Sequence, residues 1–141
     1  MRYALATLMM LGAFAIGCNG GSDGGVIGSQ DANVTGTWDA TITVTGGTQA
    51  PPGTQFTGVF TLAQSGSGVT GTFSTAGGLS GQISGSVSGQ AFAFTISQGA
   101  PCPGSFSGSA TVSGSETQLS GSYSGSDCNG TLQVSAVATK R

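Results

Sequence analysis

The chain has 141 residues, of which 27 are glycine, three are Lys or Arg, five are Asp or Glu and none is histidine. A length of this order predicts one domain, and three basic residues cannot neutralise a run of phosphates, which excludes charge-driven nucleic-acid binding. The lack of histidine excludes Ser-His and Cys-His catalytic pairs and imidazole metal ligands.

Residues 1–17 have the pattern of a signal peptide. Arg2 supplies a positive charge, and the apolar run over 3–16 is shorter than the roughly 20 residues that a membrane-spanning helix needs. The run ends at Ala15-Ile16-Gly17-Cys18, which resembles the lipobox of bacterial lipoproteins. The resemblance implies that Cys18 is diacylated on sulfur and becomes the mature N-terminus. The alternative is an ordinary signal peptide, cleaved nearby, that leaves Cys18 as a thiol.

Residues 18–33 follow as the lipidated cysteine and a tether rich in glycine and small polar residues, a composition that cannot bury a core. A lipid on Cys18 would hold the protein at a membrane without a transmembrane helix. Asn19 stands where an aspartate would signal inner-membrane retention, so the lipoprotein resemblance implies the outer membrane of a bacterial envelope.

Residues 34–141 form the predicted folded domain, and apolar residues there alternate with polar ones at a period of two. In the first segment Val34, Trp38, Ile42 and Val44 share one face, while threonines and Asp39 share the other. Clusters of Gly, Ser, Pro and Asn separate the segments, and none has the apolar spacing of a helix. Eight strands are predicted at about 34–44, 55–64, 68–75, 79–87, 90–97, 105–113, 117–124 and 131–139.

Glycine recurs on the inward face of these strands, as in Val69-Gly71-Phe73 and Leu119-Gly121-Tyr123. Glycine weakens a strand unless it permits sharp bending or makes room for a ring, and both reasons favour a closed sheet. The outward positions are mostly Ser and Thr, the reverse of a membrane-spanning barrel. We therefore expect a soluble, all-β, eight-stranded antiparallel up-and-down barrel, with a β-sandwich as the alternative.

Cys102 and Cys128 are the cysteines that remain if Cys18 carries lipid. An even pair in an oxidising compartment favours a disulfide, and two thiols without histidine make a poor zinc site. In an up-and-down order both cysteines lie in connections at one end of the barrel, and the tether attaches at the other. If the barrel has a mouth, we expect it at the disulfide end.

Several strand phrases support a family resemblance. Val34-Thr-Gly-Thr-Trp38, Gly68-Val-Thr-Gly-Thr-Phe73 and Leu119-Ser-Gly-Ser-Tyr123 resemble strands of calycin barrels, the class of avidins and lipocalins, and the whole body resembles small Gly/Ser/Thr-rich bacterial lipoproteins. The resemblance implies a small barrel with an apolar interior. It does not imply biotin binding, because Asp39 and Thr41-Ile42 replace the polar residues that avidins use and the chain has one tryptophan.

Two functions stay open. The barrel is predicted to be either a structural or surface-display module that contacts envelope components, with rings that fill its interior, or a module that binds a small apolar ligand. An enzyme is not expected, because Asp39, Glu116 and Asp127 have no dyad spacing and read as solvated surface charges. No metal or other cofactor is predicted. The candidate ligand-lining residues are Trp38, Phe60, Phe73, Phe92, Phe94, Phe106 and Tyr123.

Overall fold

A computed structural model describes residues 30–141. These residues form a single antiparallel sheet in which each strand pairs with the next and the last pairs with the first, so that the sheet closes into a barrel. The predicted eight-stranded barrel is confirmed, and the sandwich alternative is excluded. The strands are β1 (Gly36–Gly47), β2 (Gln55–Ser65), β3 (Gly68–Thr75), β4 (Ser80–Ser88), β5 (Ala91–Gln98), β6 (Gly104–Val112), β7 (Gln118–Asp127) and β8 (Gly130–Lys140).

The predicted signal peptide, the lipidation site and most of the tether concern residues 1–29, which lie outside the described part of the chain. The last tether residues are described, and they contact the barrel. Ala32 is buried, its N–H donates to the Gly89 carbonyl at 2.8 Å, and Asp31 Oδ1 accepts the Gly89 N–H at 2.9 Å. The folded unit therefore begins a few residues before the predicted position 34.

Side chains alternate across the sheet as the period of two requires. Ile42, Val44 and Val134 are at most 2% exposed, whereas the intervening Ser and Thr side chains are mostly exposed on the outer face. Val137, at 45% exposure, is the exposed large hydrophobic residue of the described chain. Apolar side chains thus line the inside of the barrel, and hydroxyls cover most of the outside. Residues 30–141 contain no helix with the length and hydropathy needed to cross a bilayer.

Inward-facing glycines let adjacent strands approach closely. A Cβ added at Gly108 would overlap the Ser122 carbonyl oxygen and the Cβ of Tyr123, its cross-strand partner. A ring can occupy the space that a missing side chain leaves, as Phe73 does opposite Gly81. Both reasons for the glycines, close approach and room for rings, therefore apply. A Cβ would meet a neighbouring strand's carbonyl in this way at Gly71, Gly81, Gly85, Gly108, Gly121 and Gly125.

One end of the barrel, here called the plugged end, is closed by Ala32, Val34 and Trp38, all at most 6% exposed. The Trp38 indole N–H donates to the Val34 carbonyl at 2.9 Å, and Lys140 Nζ lies 5.0 Å from the centre of the ring. The β2–β3, β4–β5 and β6–β7 turns lie at this end, because residues 31–34 hydrogen-bond to Gln64, Gly89 and Glu116.

The plugged end also carries most of the charged side chains of residues 30–141, namely Asp39, Glu116, Lys140 and Arg141. Glu116 accepts the Asn33 N–H, and Lys140 stands over Trp38. The Arg141 guanidinium donates to both Asp39 oxygens at 2.9–3.1 Å, and this hydrogen bonding lowers the pKa of Asp39 and raises that of Arg141. Since Asp31 binds the Gly89 turn, it belongs to the same end.

Candidate binding site at the disulfide end

The opposite end of the barrel, here called the mouth, carries the β1–β2, β3–β4, β5–β6 and β7–β8 connections. Cys102 in the β5–β6 connection and Cys128 in the β7–β8 turn are disulfide-bonded, with their Cα atoms 5.2 Å apart. The predicted cysteine pair is thus confirmed. Asp127 lies beside these sulfurs, but the sulfurs are bonded to each other and do not offer thiolate ligands to a metal.

A cavity of about 240 Å³, here called the mouth cavity, opens among these connections. Exposed residues such as Thr54 and Gly77 form its outer edge, and buried residues such as Ile96 form its floor. Its apolar lining is Val44, Ala50, Phe56, Phe73, Leu79, Ile96, Phe106 and Leu132. Its polar lining is Gln49, Thr54, Thr75, Gln98, Tyr123 and Asp127.

Asp127, the last residue of β7, holds two of these polar side chains. Its Oδ1 accepts the Gln49 side-chain amide and the Asn129 N–H, both at 2.8 Å, and its Oδ2 accepts the Gln98 side-chain amide at 2.9 Å. The expectation that Asp127 is a solvated surface charge is therefore incorrect. It is half-buried, and it connects three neighbouring parts of the mouth.

Gln98 is 6% exposed, and its amide orientation follows from its partners. Its Nε2 donates to the Cys102 carbonyl at 2.6 Å and to Asp127 Oδ2 at 2.9 Å. Both partners can only accept, so the nitrogen must face them and the oxygen must point elsewhere. Among residues 30–141 no group donates to Gln98 Oε1, which leaves a buried carbonyl-type acceptor on the wall of the mouth cavity.

A second, smaller cavity of about 50 Å³ lies in the barrel interior and is here called the inner cavity. Rings dominate one side of it: the centroids of Phe92 and Phe94 are 5.2 Å apart, and Phe94 meets Tyr123 edge-on at 6.2 Å. The lining on the other sides is mainly aliphatic or small, including Ile83 and Ala136. The inner cavity can therefore make apolar contacts with a molecule but few hydrogen bonds.

Tyr123 is the residue that borders both cavities. Its ring packs edge-on against Phe94 and Phe106, with centroids 6.2 and 6.0 Å away. Burial raises the pKa of its hydroxyl to about 12, so the phenol stays protonated at neutral pH. Within the described residues, no hydrogen bond engages this hydroxyl. Tyr123 therefore combines a packed ring with a free donor and acceptor.

The structure divides the predicted lining residues into four groups. Phe73 and Phe106 border the mouth cavity, and Tyr123 borders both cavities. Trp38 borders neither, because it lies within the plugged end. The remaining rings border the inner cavity: Phe60, Phe92 and Phe94.

Sequence reasoning selected three of the fifteen residues that line the mouth cavity and missed the other twelve, of which four matter most for its chemistry. Phe56 has the inward phase of its strand and could have been found from that signal. Gln49, Gln98 and Asp127 could not, because polar residues at strand ends normally indicate solvent and only the fold brings these three together.

No family model matches the sequence, and no curated protein matches it significantly. Among solved structures, the crystal structure of Rv2717c from M. tuberculosis is similar to this chain, with a TM-score of 0.49 and 13% identity over 77% of this chain and 92% of that one.

Proposed function

We propose that this protein binds a small, mainly apolar molecule in the mouth cavity. The observation that carries the proposal is the open cavity of about 240 Å³ at the disulfide end, with apolar walls and a few polar groups. This combination is typical of small-molecule sites. An engineered apolar cavity of about 150 Å³ accepts benzene, so the mouth cavity has room for roughly one or two fused rings.

The walls are suited to an aromatic or alicyclic body. Phe73 and Phe106 present ring surfaces, and Ile96 and Leu132 present branched aliphatic surfaces. Contact with such surfaces is favourable because it removes apolar area from water on both sides. The disulfide and the Asp127 hydrogen bonds hold the surrounding connections, which lowers the entropy lost when a ligand binds.

We further propose that the barrel works at the bacterial outer membrane, anchored by a lipid on Cys18. The described chain enters the barrel at the plugged end, where residues 31–34 contact the turns. An anchor that precedes these residues would therefore be joined to the barrel at the end opposite the mouth. This arrangement would keep the cavity accessible to molecules in the surrounding aqueous space.

The binding proposal can be tested with methylnaphthalene as the probe. Saturation-transfer NMR on the full-length protein should show binding, and Leu79→Trp should weaken it at least about tenfold, because the larger ring occupies the cavity. Ser80→Trp is the matched control, since Ser80 is exposed on the outer face one residue away. Its affinity should equal that of the unmodified protein.

Two results would overturn the proposal. The first is no binding of methylnaphthalene by a folded protein. The second is equal weakening by Leu79→Trp and Ser80→Trp, which would place the probe outside the mouth cavity. In either case the display role predicted from the hydroxyl-rich outer face would remain as the candidate function.

A further inference from the structure

The two glutamine side chains of the mouth cavity have hydrogen-bonded N–H groups and amide oxygens without a partner in the described chain. Gln49 and Gln98 both use their amide nitrogens, Gln49 on Asp127 Oδ1 and the Gly130 carbonyl, and Gln98 on Asp127 Oδ2 and the Cys102 carbonyl. Each side-chain amide has two N–H donors, and in both glutamines these donors are already hydrogen-bonded. Among residues 30–141 neither amide oxygen receives a hydrogen bond. The mouth cavity therefore presents two acceptors that need donors.

The negative charge of Asp127 at the mouth also favours a ligand that donates hydrogen bonds over one that carries a negative charge. Asp127 is the one Asp, Glu, Lys or Arg of the described chain that lines the mouth cavity, and the others bind to or lie near the plugged end. A carboxylate ligand would lose water beside this anion, and among the described residues that line the cavity it would find no cation to replace that water, only the neutral Tyr123 hydroxyl. Desolvation and like-charge repulsion would both oppose its binding.

We infer that the mouth cavity selects ligands whose apolar ring body carries a neutral or positively charged hydrogen-bond donor, an amine or a hydroxyl group, and rejects the corresponding carboxylate. The donor group meets Gln98 Oε1 on the buried wall and Gln49 Oε1 nearer the edge. The ring body packs on Phe73 and Phe106. This inference rests on the proposed function and adds the chemistry of the ligand's head group.

Asp127 acts here as a positioning residue. It accepts the N–H groups of both glutamines, so it fixes the direction in which their oxygens point. The disulfide beside it holds Cys102, whose carbonyl accepts the second Gln98 N–H at 2.6 Å. The acceptors are thus oriented before a ligand arrives, which is the condition under which a polar site discriminates strongly.

The test compares three head groups on one ring. Dissociation constants of naphthylmethylamine, naphthylmethanol and naphthoate, with the same ring substitution, are measured on the full-length protein by titration calorimetry, with methylnaphthalene as the apolar reference. The amine and the alcohol should bind at least about tenfold more tightly than the carboxylate.

Variants then locate the discrimination. Gln98→Met and Gln49→Met keep the side-chain length and remove the whole amide, both the oxygen and the N–H groups that donate to Asp127. Each variant therefore loses one oriented acceptor, and each should reduce the ratio of carboxylate to amine dissociation constants. Gln82→Met is the matched control, because Gln82 is exposed on the outer face of β4, and it should leave the ratio unchanged. If Gln98→Met fails to fold, Gln49→Met carries the test, since Gln49 lies in the β1–β2 connection.

The outcomes separate the two proposals. If methylnaphthalene fails to bind the folded protein, the proposed function is wrong, and the head-group inference, which rests on it, falls with it. If methylnaphthalene binds but the carboxylate binds as tightly as the amine and the alcohol, the head-group inference alone is wrong. It is also wrong if neither glutamine variant reduces the ratio of carboxylate to amine dissociation constants.

Discussion

Gly71 in β3 lies against the carbonyl oxygen of Thr61 in β2, so closely that a Cβ at Gly71 would overlap that oxygen. The two strands pair through Leu62 and Gly71, and Leu62 is 4% exposed. The sheet can therefore curl at this point only because residue 71 has no side chain. Inward glycines are part of the closure of the barrel.

Gly71→Ala should destabilise the protein by roughly 1–3 kcal/mol, because backbone must shift to admit the methyl group. Gly68→Ala, in the same strand, is the matched control: its Cβ would meet only the Ser65 carbonyl oxygen at 3.6 Å, an ordinary contact. Urea denaturation followed by circular dichroism measures both. Equal midpoints for the two variants would contradict the close-approach explanation.

Trp38→Phe should cost about 1–3 kcal/mol of unfolding free energy, since it removes the donor to the buried Val34 carbonyl and part of the ring volume. Val137→Ala, at an exposed position, should change stability by less than about 0.5 kcal/mol. Methylnaphthalene affinity should stay the same in Trp38→Phe, because Trp38 borders neither cavity. A weakened affinity in the folded variant would place Trp38 in the binding site after all.

Removing the disulfide by the double change Cys102→Ala and Cys128→Ala should lower stability by on the order of 3 kcal/mol, because the bond closes a loop between residues 26 apart and restricts the unfolded chain. Reduction of the unmodified protein should give the same decrease in the denaturation midpoint. An unchanged midpoint in both experiments would mean that the bond contributes nothing to stability.

The hydroxyl of Tyr123 should make stability depend on alkaline pH. Burial raises its pKa from 10.0 to about 12, so an unfolded chain releases this proton at lower pH than the folded protein does. Stability is therefore full below pH 10 and falls as the pH rises towards 12, by on the order of 2–3 kcal/mol. Tyr123→Phe should lack this decrease. Identical alkaline profiles for the two proteins would contradict the burial of the hydroxyl.

Much of the fold could be predicted from the sequence, because the period of two and the turn residues act locally. The predicted segments at 55–64 and 68–75 differ from β2 and β3 by at most one residue. Closure followed from inward glycines such as Gly108, and the location of the disulfide at one end followed from counting the strands. These inferences succeeded because, apart from the pairing of β1 with β8, each strand in an up-and-down order pairs with its neighbour in sequence.

The candidate site could be predicted only in part. Phe73 and Phe106 could be predicted from the alternation of apolar and polar residues. This pattern shows whether a side chain faces inward, but it does not show the height of the residue along the barrel axis. Trp38 has the same inward phase, yet it plugs the other end. The contact between Gln98 and Asp127 joins residues from different strands at a distance of 2.9 Å, and no local pattern encodes that meeting.

The pairing of β1 with β8 has a consequence for how the chain folds. Trp38 lies across from Lys140, so the final pairing joins residues about as far apart in sequence as the described chain allows. Contacts at such separation form slowly, because a large loop must close before they contribute. Until then both outer strands expose unpaired backbone in a chain with little charge to keep copies apart. We expect that newly made molecules are most prone to aggregate during this interval, before the last strand takes its place.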